Sequence, residues 1–397
     1  MNRHHRHHVL IVGGGFGGIK AALELSRAED VAVTLLSDRP DFRYYPTLYH
    51  TATGGLRKQS SIPLKTILPE DKVTLALGTA QHLDRKRKLL HTKEGHIIPY
   101  DTLILGLGVV TNYFGIEGLK KYAYSIKSTH EAVRFRNHLH DQIVADHRPD
   151  LNYVIVGGGP TGIELAGALP EYLRWVMQNH GIKERALHID LIEASPRLLP
   201  RSPKPTSRAV KHRLHKLGVK LYLGQAVQGE TADALTVSGK PLTSHTVVWT
   251  AGVANHPFFE KNGFAINDRH KVVVDNHLMA EQNIYIIGDN AGTPFSGMAQ
   301  TALYDARFVA QHLQRVWNGK KPKSYHAKQP VSVIPAGPSW AAVDWGNFHF
   351  YGRIGWLLRE AADFMAFRDY EPWWKALGQW ATEFSDEEDC PYCCNAK

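Results

Sequence analysis

The chain repeats one glycine spacing that is typical of backbone lying close to a phosphate. The spacing is G-x-G-x-x-G, and it occurs at Gly13, Gly15 and Gly18 and again at Gly157, Gly159 and Gly162. In such a loop the first glycine permits a tight turn, the second lets the backbone approach a pyrophosphate, and the third allows close helix–strand packing. The phosphate then faces a helix N-terminus, where N–H groups and the helix dipole favour an anion. The sequence therefore predicts two dinucleotide sites.

The end of the strand that follows each loop indicates which nucleotide the loop holds. The run HIDLIEA (188–194) places Glu193 where a carboxylate can bind both ribose hydroxyls and repel a 2′-phosphate. This favours NADH over NADPH at the second loop, although Arg197 lies close enough in sequence to weaken the preference. In the first unit the corresponding strand ends in Ser37 and is followed by Asp38, so either residue could hold a ribose.

Two such loops in one chain are explained by one tightly held flavin and one exchangeable nicotinamide. A hydride must pass between two ring systems, and the cofactors carry that chemistry while the protein positions them. We therefore expect non-covalent FAD at the first loop and NADH at the second.

The elements around both loops follow a strand–helix–strand order, which indicates a parallel, doubly wound sheet. VLIV (9–12) precedes a helix that runs through Arg27, the order recurs from 153 to 194, and IYIIGD (284–289) precedes a helix from about Ala299 to Val316. The predicted fold is α/β, with two Rossmann-like domains, the NADH domain inserted in the FAD domain, and a C-terminal amphipathic helical segment. The expected boundaries are 1–118 and 269–339 for the FAD-binding domain, 119–268 for the NADH-binding domain and 340–397 for the C-terminal segment.

Length, charge and cysteine content exclude several classes of protein. The 397 residues suffice for two or three domains, and the net charge of +9 suggests an anionic partner, but no nucleic-acid motif accompanies the basic residues. All three cysteines lie at 390–394, so a disulfide-built fold is excluded and a reducing cytoplasm is expected. There is no uncharged apolar run of about 18 residues that would span a membrane. We expect no metal site, and the Arg/His arm at 3–8 is interpreted as a solvated basic arm.

Further motifs over most of residues 8–316 make the chain resemble the type II NADH dehydrogenases, which are single-chain NADH:quinone oxidoreductases. The motifs that carry the resemblance are YYPTLYHTATGGL (44–56), YDTLILGLGVVTNYFGIEGL (100–119), GGGPTGIELAGAL (157–169), VVWTAGV (247–253), IIGDNAG (286–292) and MAQTALYDA (298–306). The resemblance implies hydride transfer from NADH to FAD and then transfer of two electrons to a membrane quinone, without proton pumping.

The resemblance also implies roles for individual residues. Thr47 would lie near flavin N5, Asp289 would bind the ribitol, and Ala299 and Gln300 would contact the pyrimidine end of the ring. Glu164 would lie between nicotinamide and flavin, where it could orient NADH or support proton delivery; the alternative is a solvated first-turn carboxylate. Other predicted cofactor contacts, beside the loop glycines and the strand-end residues already named, are Phe16, Gly17, Ala80 and Gly108 for FAD and Thr161 and Gly252 for NADH.

The acceptor motif departs from the family pattern. A-Q-x-A-x-Q reads here from Ala299 to Tyr304, so that Tyr304 replaces the second glutamine at the expected quinone pocket. A phenol can still bind a quinone carbonyl and stack on its ring, and the predicted catalytic residues are Glu164, Gln300 and Tyr304. Because the core holds no cysteine, a redox-active disulfide and sulfide oxidation are excluded. Two alternatives stay open: a soluble NADH oxidase or diaphorase that uses oxygen or a protein acceptor, and an NADH-sensing flavoprotein.

The C-terminal segment is rich in tryptophan and negatively charged. Its pattern predicts helices near 354–368 and 372–384, and on the first of these Ile354, Leu357, Leu358, Ala361 and Phe364 recur at helical spacing. Tryptophan favours a lipid–water boundary, so residues 340–384 predict peripheral contact with the cytoplasmic side of the cell membrane. A dimerisation surface or a lid would explain the same aromatics. Cys390, Cys393 and Cys394 would form an accessory dithiol or part of a mobile tail.

Overall fold

The computed structural model describes residues 7–145, 152–183 and 186–368 of the chain. Its helices are α1 (Phe16–Leu25), α2 (Leu48–Ala52), α3 (Arg57–Ser60), α4 (Leu64–Ile67), α5 (Leu119–Tyr122), α6 (Thr129–His140), α7 (Pro160–Asn179), α8 (Lys204–Lys216), α9 (Phe258–Lys261), α10 (Ala299–Trp317) and α11 (Arg353–Arg368). Helix α1 ends two residues before the predicted Arg27, at a turn where the Ser26 hydroxyl donates to Leu23 O.

The strands are short and are separated by these helices and by turns. They are β1 (His7–Val12), β2 (Val31–Ser37), β3 (Asp41–Arg43), β4 (Ser61–Pro63), β5 (Val73–Leu77), β6 (Ala80–Asp84), β7 (Leu89–Thr92), β8 (Ile97–Pro99), β9 (Thr102–Leu105), β10 (Val109–Thr111), β11 (Asn152–Val156), β12 (His188–Glu193), β13 (Val219–Leu223), β14 (Val227–Glu230), β15 (Ala234–Val237), β16 (Lys240–Thr243), β17 (Thr246–Trp249), β18 (Val253–Asn255), β19 (Met279–Glu281), β20 (Ile284–Ile286), β21 (Ser332–Pro335), β22 (Ala341–Trp345) and β23 (Phe348–Gly352).

The first large sheet has the strand order β19-β20-β9-β1-β2-β5, and its strands are parallel except for β19. Val9 pairs with Val33 on one side and with Thr102 on the other. Strands β1 and β9 are apolar along their length because both faces of the sheet are covered: α1 and α10 pack on one face, and the cluster around Leu83 and Phe259 packs on the other.

The second large sheet has the order β13-β12-β11-β17, with all strands parallel. The chain leaves the first sheet after β9, builds the whole second sheet, and returns to the first at β19 and β20. The predicted α/β class, with a second dinucleotide unit inserted in the first, is confirmed by this topology. In both sheets the glycine loop directly follows a central strand, β1 or β11, at its carboxyl end, which is where ligands bind in open parallel sheets.

The described part of the C-terminal segment comprises the strands β22 and β23, which extend an antiparallel sheet from β21, and the helix α11. The helix predicted near 354–368 is confirmed, but it presents its charged side to the protein. Ile354 and Leu357 are each 61% exposed, whereas Arg359 and Asp363 are only 7% and 8% exposed. The second predicted helix, the terminal cysteines and most of the Arg/His arm lie outside the described residues. In the part of the chain that is described, none of the helices has the length and apolar character needed to cross a membrane.

Candidate functional site

The two glycine loops have the same backbone. Gly13 and Gly157 open the loops with φ of +116° and +118°, a conformation that favours glycine. A Cβ on Gly18 would lie 1.9 Å from Gly13 O, and a Cβ on Gly162 would lie 1.9 Å from Gly157 O. The third glycine of each loop is therefore required by helix–loop packing, whether or not a ligand is bound.

The second glycine of each loop is different, because it faces open space. Gly15 and Gly159 are the N-cap residues of α1 and α7, and both have extended backbone. Apart from the two adjoining residues, no heavy atom lies within 4 Å of the position that a Cβ would take at either glycine. Neither helix has a capping side chain or an acidic residue in its first turn. The uncapped N–H groups and the open space fit a pyrophosphate at both loops.

The neighbours of these N-termini serve packing as well as binding. Phe16 stacks edge-on against Phe42, and a Cβ on Gly17 would lie 2.9 Å from Ile287 Cδ1, so α1 is held close to the first sheet and to α10. Thr161 lies in the first turn of α7 and is partly exposed. A Cβ on Gly252 would lie 2.5 Å from Asn112 O, and the adjoining Ala251 backbone lies against Gly157.

The strand ends beside the two loops differ in chemistry. Glu193 accepts hydrogen bonds from Gly158 N–H at 2.6 Å and from Ser195 N–H at 2.7 Å, which fixes its carboxylate at the edge of the second loop. Arg197 donates to Leu199 O, Ser202 O and Pro200 O, so its guanidinium is occupied by backbone carbonyls. The predicted weakening of NADH preference by Arg197 therefore has no support in the contacts of this side chain.

At the first loop the strand end is smaller and neutral. Ser37 is buried, its hydroxyl accepts from Arg39 N–H at 3.3 Å, and its carbonyl accepts from Gly78 N–H at 2.9 Å. Asp38 is exposed and pairs with Arg39 at 3.5 Å. Ala80 lies two residues beyond Gly78 but packs within the apolar cluster of Leu83 and Leu90, so it is held in the core.

The turn that carries Asp289 is held by residues that the sequence patterns did not identify. Gly288 N–H donates to Asp305 Oδ2 at 2.9 Å, and Asn290 exchanges hydrogen bonds of 2.8 and 2.7 Å with the backbone of Gly108. Burial raises the pKa of Asp289, while the nearby Lys271 and Lys127 oppose that rise. Gly108 itself has φ of +73° and open space at its Cβ position. Asp289 and Gly108 thus belong to one tightly bonded corner at the carboxyl end of the first sheet.

Glu164 lies in the second turn of α7 and its side chain is half-buried, so it is not the first-turn carboxylate of the alternative. Burial raises the pKa of its carboxyl to about 8; Arg359 and Lys127 lower the pKa, and Asp363 raises it. Lys127 interacts electrostatically with Asp289 as well as with Glu164, and burial is the main cause that lowers the pKa of its amine. Lys127, in the connection between α5 and α6, thus interacts both with the acidic corner of the first sheet and with the helix of the second loop.

The inner face of α11 completes this region. Tyr44 donates to Asp363 Oδ1 at 3.2 Å, and the Arg359 guanidinium contacts Asp363 Oδ2 at 3.2 Å and lies 5.9 Å from the centre of the Tyr49 ring. Burial, and then Arg359, lowers the pKa of His50 to about 3, so this imidazole is neutral. Tyr44 and Asp363 are 319 positions apart, which explains why no local pattern could join them.

The predicted flavin-side turn is more enclosed than expected. The Thr47 side chain is fully buried, and its hydroxyl donates to Gln59 O at 3.0 Å and to Tyr44 O at 3.2 Å. This side chain therefore holds the turn, and a contact with a flavin would come from the neighbouring backbone.

Helix α10 begins at Ala299 without a capping side chain or an acidic residue in its first turn. Gln300 Oε1 accepts from Val331 N–H at 2.9 Å, and the ammonium of Lys328 lies 5.6 Å from the centre of the Tyr304 ring. The backbone donor fixes the amide so that its oxygen faces Val331 and its Nε2 group faces away. Two of the predicted acceptor residues thus contact the segment that connects α10 to β21.

The comparisons with known proteins agree with this architecture. The sequence model of the family described as "Pyridine nucleotide-disulphide oxidoreductase" matches residues 7–306. The type II NADH:quinone oxidoreductase Ndh of Mycobacterium tuberculosis is 29% identical over 89% of this chain and 82% of its own length. The type II NADH:quinone oxidoreductase of Staphylococcus aureus is 27% identical over 84% of this chain and 88% of its own length.

Solved structures share the fold over nearly the whole chain. NDH2 from Plasmodium falciparum in complex with NADH has a TM-score of 0.84 and 19% identity, and the match covers 96% of this chain and 97% of the other. The sulfide:quinone oxidoreductase from Aquifex aeolicus has a TM-score of 0.76 and 20% identity, with coverages of 94% and 92%. At these identities the likeness concerns the fold.

Proposed function

The chain belongs to the pyridine nucleotide-disulphide oxidoreductase family, and from this premise we propose that it is an FAD-dependent NADH:quinone oxidoreductase of the type II class. The curated relatives that carry this description cover most of the chain. The observation that carries the proposal is the contact of Lys127 with both units. Its carbonyl accepts from the guanidinium of Arg43, which follows the first sheet's strand β2, and its amine is attracted by Asp289 and by Glu164 on the helix of the second loop. This supports two nucleotide sites that share one charged region.

FAD belongs at the first loop. The open N-terminus of α1 at Gly15 accommodates its pyrophosphate, and Ser37 or Asp38 meets its adenosine ribose. Asp289, Gly108 and the N-terminal turn of α10 at Ala299 and Gln300 surround its other end. When bound, FAD takes two electrons from NADH and passes them to an acceptor. The uncapped N-terminus of α10 stabilises negative charge on the ring that it faces.

NADH belongs at the second loop. Gly159 leaves room for its pyrophosphate, and Glu193 lies where it meets the ribose hydroxyls and disfavours a 2′-phosphate. We assign residues 119–268 to this NADH-binding domain, 1–118 and 269–339 to the FAD-binding domain, and 340–397 to the C-terminal segment.

Glu164 is the residue that holds a proton between the two sites. With a pKa of about 8 its carboxyl is mostly protonated at neutral pH, because burial disfavours the charged form. Arg359, Asp363 and Lys127 surround it and set how readily the proton leaves. A quinone consumes two protons on reduction, and a buried acid with a pKa near the working pH is suited to supply one of them.

Gln300 and Tyr304 receive the quinone. The amide of Gln300, oriented by Val331, presents Nε2 as a donor to a carbonyl oxygen, and the phenol of Tyr304 provides a ring and a hydroxyl. These groups lie on α10, one and five residues beyond its first residue, Ala299.

The C-terminal segment contacts the membrane that supplies the quinone, and from the cysteine content we place it at the cytoplasmic face. Trp345 and Phe348 at the β22–β23 hairpin are 58% and 70% exposed, and Ile354 and Leu357 lie on the outer face of the adjoining helix. Trp345, Phe348 and Phe350 line an open apolar cleft of about 590 Å³. Exposed apolar side chains grouped in this way favour a lipid or protein surface.

The acceptor profile tests the proposal. Purified protein should be yellow, its absorbance should be bleached by NADH in the absence of air, and quinone analogues should restore the absorbance over many turnovers. Quinone-dependent NADH oxidation should exceed the oxygen background several-fold. A rate equal to that background would favour the NADH oxidase alternative, and a long-lived bleached complex without turnover would favour the sensing alternative. A colourless protein that cannot be reconstituted with FAD would refute the proposal.

Flotation with liposomes tests the membrane contact. We expect the full chain to float with vesicles and the double variant Trp345→Ser, Phe348→Ser to lose most of this binding while it keeps its flavin. Ile97→Ser is the matched control, because Ile97 is 56% exposed on β8 of the first domain. Equal flotation of the double variant and the control would assign the exposed aromatics to a protein contact.

A further inference from the structure

Segment 320–331, which connects α10 to β21, retraces α10 from its last turn to its first. Lys321 O accepts from the Arg315 guanidinium at 3.1 Å, the Tyr325 hydroxyl donates to Asp305, and Val331 N–H donates to Gln300 at 2.9 Å. We call this segment the strap. It contains no helix or strand, yet it is bonded to the helix at each end and in the middle, so its position along α10 is defined.

The middle of the strap is its firmest attachment. Tyr325 donates to the fully buried Asp305, whose other carboxylate oxygen accepts from Gly288 N–H, and the Tyr325 ring packs edge-on against Phe308 at 5.1 Å. Tyr325 N–H donates to Asn276 O at 2.6 Å. These contacts join the strap both to α10 and to the turn that carries Asp289.

This attachment places one cation beside the acceptor residues. Lys328 lies three residues beyond Tyr325, and its ammonium is 5.6 Å from the centre of the Tyr304 ring. An ammonium at this distance from an aromatic ring is attracted by the electron density of the ring face. The family pattern has glutamine at position 304, and glutamine has no ring with which an ammonium could form such a contact. The contact with Lys328 therefore depends on the aromatic ring of Tyr304.

We propose that Lys328 is a specificity-determining residue of the acceptor site, an inference that rests on the proposed function. It favours acceptors that carry or develop negative charge on an oxygen, such as the carbonyl oxygen of a quinone that is being reduced. A cation fixed beside developing negative charge stabilises it without reorganisation. In this role Lys328 neither forms nor breaks a covalent bond. The strap supplies the position, and Tyr304 supplies the surface on which the ammonium rests.

Steady-state kinetics of Lys328→Gln test this role with decyl-ubiquinone as a neutral acceptor and ferricyanide as an anionic one. We expect kcat/KM to fall roughly twofold with decyl-ubiquinone and roughly fivefold with ferricyanide, which is already anionic, the range of an exposed charge–charge interaction. The ferricyanide effect should shrink as salt is raised. Anaerobic bleaching of the flavin by NADH should be unchanged. Lys320→Gln is the matched control, because it removes an exposed lysine from the start of the same strap.

A double-mutant cycle separates the pair from a general loss of positive charge. Tyr304→Phe keeps the ring, so Lys328→Gln should retain its effect in that background. Tyr304→Gln removes the ring, so Lys328→Gln should then have little effect, and the two changes should be non-additive. Tyr325→Phe loosens the strap from Asp305 and should reduce the effect of Lys328→Gln to less than twofold.

Two failures are distinguishable. If the wild type reduces ferricyanide but no quinone faster than oxygen, the proposed function fails. If Lys328→Gln and Lys320→Gln both match the wild type with every acceptor that it reduces, or if the cycle is additive, the role of Lys328 is overturned whatever the acceptor is.

Discussion

The two glycine loops share a backbone and differ in the side chains at their rims. Their first glycines have φ within two degrees of one another, at +116° and +118°, and their third glycines approach a carbonyl to the same 1.9 Å. The rim of each loop is here the end of the strand that lies beside it. Ser37, buried and neutral, forms the rim of the first loop. Glu193, whose carboxylate accepts from two backbone N–H groups, forms the rim of the second. The backbone is thus the same at both predicted phosphate sites, and we expect single side chains to decide which nucleotide each site receives.

The largest effects are expected from substitution of the third glycine of each loop. Each substitution should impair nucleotide binding at its own loop. Gly18→Ala forces a Cβ against Gly13 O, and we expect about a hundredfold weaker FAD binding together with a loss of stability of about 1–3 kcal/mol. Gly162→Ala should leave the protein yellow and abolish its bleaching by NADH. FAD content, thermal unfolding and anaerobic titration with NADH measure the two outcomes.

Gly15→Ala is the contrasting variant, because its Cβ meets no protein atom in the free protein. The unfolding temperature of the FAD-free protein should be unchanged while FAD binding weakens. If Gly15→Ala lowers that temperature as much as Gly18→Ala, the open space at Gly15 is not reserved for a ligand.

A change at the second rim should sharpen the comparison. Glu193→Gln removes the charge and keeps one of the two acceptor oxygens, and we expect the preference for NADH over NADPH to fall about tenfold, the size of one charged hydrogen bond. The ratio of kcat/KM for the two nucleotides measures it. An unchanged ratio would show that a residue other than Glu193 sets the selectivity, and Asp38→Asn at the first rim should leave the ratio as it is.

Glu164, on the helix of the second loop, should make both quinone reduction and the free energy of unfolding depend on pH. Its pKa is raised to about 8 in the folded protein, so the protonated fraction falls roughly fivefold between pH 8 and pH 9, and quinone reduction should fall with it. The folded state holds this proton more tightly than the unfolded chain, so the free energy of unfolding should fall as the pH rises from about 4.5 to about 8.

Glu164→Gln should remove both dependences. Quinone reduction and urea unfolding, each followed against pH, test them, with Glu171→Gln as the control on the same helix. An alkaline loss of quinone reduction that persists in Glu164→Gln would assign that titration to another group.

The smallest effect is expected at the first rim. Ser37→Ala removes a hydroxyl that accepts from Arg39 N–H, and FAD binding should weaken by no more than about fivefold, because a neutral hydrogen bond is worth about 1 kcal/mol or less in net terms. Equilibrium dialysis of FAD measures it. A loss comparable to that of Gly18→Ala would show that Ser37, and not the backbone, carries the first site.

Much of the architecture of the two predicted nucleotide-binding units could be predicted from the sequence. The glycine spacing, the apolar strand runs and the helix from Ala299 are local patterns, and the predicted α/β class with an inserted second unit is confirmed by the strand order of the two sheets. The individual contacts of Gly15, Asp289, Glu193 and the other site residues with cofactors stay predictions.

The acceptor side could be predicted only in part. Gln300 and Tyr304 were found from one short motif, but Asp305, Lys328, Arg359 and Asp363 were not. The apolar spacing on α11 also gave no sign that Arg359 and Asp363 would face inwards, because their partners Tyr44 and Tyr49 lie more than 300 residues earlier in the chain.

The sequence by itself determined where the backbone can approach a phosphate, since φ, helix capping and strand burial depend on residues within a few positions of one another. Only the tertiary structure decided which charges meet around Glu164 and which lysine rests on Tyr304. Those contacts depend on how separate elements pack, and burial then changes the pKa of every ionisable group that the packing encloses.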